Sequence, residues 1–211
     1  MTGRQRVRSW GACALVVVGL VGCGAPDAGL PSTRPAEPSV VPSPGATLAP
    51  SETFLVPSDL SLVVVVPEGP DPMTGALTAA VTGWAEGADV DASVHAVADD
   101  DDVVLQQVVG AAATDGAVVL VPGSALVDQL DGVSAQNLGV EFLVLGAQLP
   151  EPTTNVTAVV WSGATSRGSR APADDVHDAS TATPERAAAA VRAGLASVLA
   201  GRTGVVVHLG R

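Results

Sequence analysis

The chemistry of this sequence begins at Ser124. It stands in Val121-Pro-Gly-Ser124-Ala-Leu126, where an apolar run gives way to a helical pattern. Asp174, Asp178 and His208 follow it in the serine–acid–histidine chain order of one class of nucleophilic triads. The glycines that a sharp Gly-x-Ser-x-Gly turn requires are replaced by Pro122 and Leu126, so a serine hydrolase is the remote reading. A second cluster, Ser162-Gly-Ala-Thr-Ser-Arg167-Gly-Ser-Arg170, sets two arginines among hydroxyls and glycines just after Trp161. Guanidinium groups hold anions in forked geometry and an indole offers a stacking face, so Trp161, Ser162, Arg167 and Arg170 are candidates for ligand contact. The same residues also suit a plain solvated loop around a core tryptophan. Asp99–Asp102 could hold a hard cation, but they immediately precede a helical pattern, where carboxylates cap free N–H groups. Calcium-loop, dinucleotide, P-loop and zinc-ligand spacings are all missing, so neither a metal nor a cofactor is expected.

The elements that must position these groups alternate along the chain. Leu60 to Val66 is a β-branched run closed by Pro67, as in a strand buried on both faces. Leu77, Val81 and Trp84 then fall at helical spacing from Pro72 to Glu86, with Gly87 as the expected stop. Val90–Val97 alternates as a second strand, with His95 inside it, and Val103–Ala113 carries a helical stripe. Further strands are expected at Ala117–Val121, Glu141–Leu145, Asn155–Trp161 and Gly204–Leu209, with a helix through Leu126, Val127 and Leu130. The last helix has the clearest start: Thr183 as N-cap, Pro184 in the first turn and Glu185 at the positive end of the dipole. Strands alternating with helices predict an α/β domain, a three-layer, doubly wound and mostly parallel sheet. Ligands of such sheets bind beyond the carboxyl ends of the strands, which adds Glu68, Asp71 and Gln148 to the candidates.

The first 22 residues read differently. Arg4, Arg6 and Arg8 precede an apolar run from Trp10 to Gly22, too short to span a bilayer but suited to a secretory signal peptide. Residues 23–58 are rich in proline, serine, alanine and glycine, which predicts an extended tether ahead of a domain at 59–211. The whole chain carries 10 arginines, no lysine and 22 acids, a net charge of −12, and loss of the leader removes three of those arginines and no acid. So acidic a surface repels nucleic acid. Of the two cysteines, Cys13 lies in the leader, which leaves Cys23 and no internal disulfide.

Leu20-Val21-Gly22-Cys23 resembles the lipobox of bacterial lipoproteins, which implies that Cys23 is acylated and holds the chain at the outer face of a cell membrane. Leu60–Gly69, Ala117–Leu130 and Glu141–Gly163 resemble the first lobe of type I periplasmic binding proteins, in the flavour of the basic-membrane-protein lipoproteins. Thr183–Leu209 is similar to the passage by which that family enters its second lobe. The resemblance implies a single Rossmann-like lobe and a non-catalytic, extracytoplasmic solute-binding module. Its partners would be a small-molecule solute and an ABC permease or a second-lobe chain. The stretch Glu68-Gly-Pro-Asp-Pro-Met-Thr74 departs from the family's pattern after the first strand, so no ligand-gripping residue carries over. The rival reading is a protein-interaction or sensory lipoprotein that uses the same exposed face.

Overall fold

A computed structural model of the chain describes residues 42–51, 53–98, 101–169 and 176–210. The elements run β1 (Ala46–Leu48), β2 (Ser61–Pro67), α1 (Pro72–Ala88), β3 (Asp91–Val97), α2 (Asp102–Asp115), β4 (Val118–Pro122), α3 (Val127–Gln136), β5 (Phe142–Leu145), β6 (Val156–Trp161), a 3₁₀ turn (Ala179–Thr181), α4 (Pro184–Leu199) and β7 (Val205–Leu209). The seven strands form one sheet in the order β1-β7-β6-β5-β4-β2-β3, and every pairing is parallel.

Period-two alternation sorts the core into two layers. Leu62, Val64, Leu120, Leu143, Leu145, Val159 and Trp161 face α1 and α4. Val65, Val119, Val121, Phe142, Val144 and Val160 face α2 and α3. With helices on both sides, the strands must be apolar on both faces, and Val-rich runs supply that. The fold is a doubly wound α/β sheet in three layers.

Three details differ from expectation, each for a local reason. The proline-rich arm is not tether throughout: Ala46–Leu48 adds an edge strand beside Val205–Val207, and Phe54 packs 6.1 Å from Trp84, centroid to centroid. Helix α1 passes Gly87 and ends at Asp89, whose φ of 56° is tolerated because a short polar side chain suits the left-handed region. Strand β3 pairs only with β2, so its alternation yields an exposed edge on which Val94 is 47% exposed. As the turn-rich Pro150-Glu-Pro152 predicts, β5 and β6 are joined without a helix. Asn155 supports that crossover by donating to the carbonyls of Ser134, Asn137 and Val140.

Candidate functional site

The strand order reverses between β2 and β4, because the chain goes outward from β2 to β3 and returns to β4 on the other side. In an open parallel sheet that reversal leaves a crevice at the carboxyl ends of the two strands. Asp71 follows β2 and Ser124 follows β4, so the two residues flank it.

Asp71 is fixed by the helix it starts. Its Oδ1 accepts from the Thr74 N–H at 2.8 Å as the N-cap of α1, and Pro72 sets the first helical φ. With Oδ1 committed to the cap, Oδ2 is the oxygen that meets His177. On the other wall, Gly123 adopts φ +81° between β4 and Ser124. A Cβ there would collide with the Thr74 hydroxyl, so only glycine lets the exit of β4 lie against the first turn of α1. Thr74 Oγ1 is buried at this contact without a hydrogen-bond partner.

The long loop after β6 closes the constellation. It runs back over the sheet's carboxyl edge: Gln148 N–H donates to the Ser166 carbonyl at 2.9 Å, and Ser169 N–H donates to Asp128 of α3 at 3.0 Å. The Thr165 N–H donates to the Val176 carbonyl at 3.0 Å and the Asp178 N–H to the Gly163 carbonyl at 2.7 Å, which pins His177 between them. His177 Nε2 then lies 3.0 Å from Asp71 Oδ2, and its Nδ1 lies 3.2 Å from Ser124 Oγ.

Proton placement follows from the partners. A carboxylate only accepts, so Nε2 carries the hydrogen towards Asp71. Nδ1 of the neutral ring is then an acceptor, and Ser124 donates to it. The His177 and Asp71 side chains are 30% and 37% exposed, so the array opens to water.

The other expected residues divide. Glu68 and Ser162 are exposed on the same carboxyl edge. Trp161 is not a stacking face: it is completely buried and its Nε1 donates to Thr181 Oγ1 at 2.9 Å, the partner a buried indole N–H needs. Arg167 is exposed in the loop and already has an interaction partner. Arg170 and Asp174 lie outside the described residues, as do Asp99 and Asp100. Asp101 caps α2 by accepting from the Val104 N–H at 3.0 Å.

The triad order Ser124, Asp174 or Asp178, His208 is corrected. His208 is exposed on β7, and Asp178 caps the 3₁₀ turn through Ser180, whose two hydrogen bonds hold its carboxyl below the usual range. The serine instead meets His177, whose other ring nitrogen meets Asp71. Sequence reasoning placed Asp71 and Ser124 at strand ends but passed over His177. Its signal was slight: it is the one histidine in the long loop.

These features define a doubly wound α/β lobe with a polar cluster at its switch point. Neither a protein-family model nor a curated protein matches the sequence, so the likeness to the basic-membrane-protein family stays an expectation. Among solved structures, the chain is similar to an ABC-transporter solute-binding protein from Aeropyrum pernix K1, with 17% identity and a TM-score of 0.41 over 49% of this chain. That match spans 29% of the solute-binding protein, under a third of its length. A putative lipoprotein fragment from Peptoclostridium difficile 630 matches 67% of this chain and 97% of its own, at 12% identity and a TM-score of 0.44. A putative LacI transcriptional regulator from Bacteroides fragilis matches 72% of this chain and 59% of its own, at 7% identity and a TM-score of 0.36. All three scores lie under 0.5, so what those proteins bind says nothing of this one.

Proposed function

We propose that this domain captures a small polar solute at the crevice between the exits of β2 and β4. In this reading it is carried on the proline-rich arm of a lipoprotein anchored through Cys23 at the outer face of a cell membrane, and it serves an ABC importer. The observation that carries the capture role is the convergence of Asp71, Ser124 and His177, from three separate segments, at the point where strand order reverses. Three polar side chains with mixed donor and acceptor capacity suit a solute bearing hydroxyl or amino groups. The crevice is open, so the lobe alone binds weakly and a permease or a second lobe completes the enclosure.

The test is a thermal-shift screen of the purified domain against nucleosides, sugars and amino acids at millimolar concentration. A solute at 100 times its Kd raises stability by about 2.7 kcal/mol. The expected result is a shift with at least one class that shrinks in Ser124→Ala. No shift with any class, or one that Ser124→Ala leaves unchanged, overturns the proposal.

A further inference from the structure

The same three residues have a second capacity, independent of whether a solute is captured. We propose that Ser124 is an activated nucleophile that accepts acyl groups from small activated carboxylic esters. His177 acts as its base and Asp71 holds the base in place.

Three observations converge. The hydrogen-bond relay is continuous, from Asp71 Oδ2 to His177 Nε2 at 3.0 Å and from His177 Nδ1 to Ser124 Oγ at 3.2 Å. The ring presents its nitrogens in the reverse of the usual triad sense, but either imidazole nitrogen can take a proton while the other is fixed by a carboxylate. Asp71 is itself rigid, because its other oxygen caps α1. Finally, Ser124 stands on a strand-to-helix turn, and α3 begins at Val127 with no side chain capping its first turn. The first N–H of that helix, on Val127, already donates to the Ser124 carbonyl at 3.2 Å, so the Ala125 N–H, which directly follows the nucleophile, is the donor a developing oxyanion would use.

The step balances as follows. Ser124 Oγ bonds to the ester carbonyl carbon as its proton passes to His177 Nδ1. The carbon–oxygen bond to the leaving group then breaks, and the departing oxygen takes that proton. This leaves an acyl ester on Ser124 and neutral His177. Water, which reaches the open array, adds to the acyl carbon while giving a proton to Nδ1, and that proton returns to Ser124 Oγ as the carboxylic acid departs.

The probes are a fluorophosphonate, read as an adduct mass on the intact chain and located by peptide mapping, and p-nitrophenyl acetate, read as phenolate release. We expect an adduct on Ser124 and ester turnover that Ser124→Ala abolishes. His177→Gln should slow both about a hundredfold. Asp71→Asn isolates the relay from the fold, because asparagine caps a helix as well as aspartate but leaves the imidazole without an anion. It should keep the native Tm while slowing labelling at least tenfold. An internal control is Ser93, 3.1 Å from His95 on β3 and without a carboxylate partner to that histidine among the described residues. It should label far more slowly. No adduct on Ser124, labelling of Ser93 at an equal rate, or rates unchanged in both His177→Gln and Asp71→Asn would overturn the proposal. The solute screen reads a separate property, so either result stands without the other.

Discussion

Asp71 shows how one side chain can serve fold and site together. One oxygen starts α1 and the other orients His177, so the position of the imidazole is fixed by the requirement that the helix begin there. Glu141 is the opposite case. It precedes β5 with one carboxylate oxygen buried and unpartnered, and burial lifts its pKa above the ordinary value of 4.5. A carboxyl whose folded pKa is raised favours the folded state fully below the unfolded pKa, and that contribution is lost as pH rises through the folded value. Glu141→Gln removes the charge that burial penalises. It should therefore raise Tm at pH 7, and the gain should fade as the pH is lowered towards 4.5. Melting curves of both forms across that range check it. A native chain that is the more stable at pH 7 would contradict the sign.

The helices and most strands were legible because each has a period. Val64, Leu77, Leu105 and Val191 all fall on faces that repetition alone marks as apolar, and all are buried. Strand β1 was not, because three residues in proline-rich surroundings carry no period, and it is paired only because β7 offers a free edge. The Asp71–His177 contact was hidden for a related reason. It joins residues 106 apart through a loop whose path is set by isolated hydrogen bonds to Gln148, Asp128 and Gly163. Helix α4 shows packing overriding propensity. Gly194 sits mid-helix, where alanine would be favoured by about 1 kcal/mol. A Cβ there would lie 2.6 and 2.8 Å from the two methyl carbons of Leu143, itself wholly buried. Overpacking costs about 1–3 kcal/mol, so Gly194→Ala should lower stability despite its better helix former. Urea unfolding of the two forms measures it, and a rise in midpoint would show that α4 can lift away freely.

At the scale of the whole chain, the charged and apolar leader, the cysteine and the proline arm were read from composition, and they support the proposed anchorage of the lobe. Cys23→Ser tests that anchorage. Cell fractionation should find the native protein with membranes and the variant released, whereas equal release of both forms would remove the anchor from the proposal. Strand β1 adds an orientation. Ala46 aligns with Val205 and Leu48 with Val207, so the arm joins the sheet where the strands begin, while Asp71 and Ser124 lie where they finish. The five residues of β4 put about 17 Å between those two poles. A pull from the N-terminal side is therefore borne at the pole opposite the crevice. If the proposed anchorage holds, the lobe is a cup held by its base, and a pull on that base does not draw the opening shut.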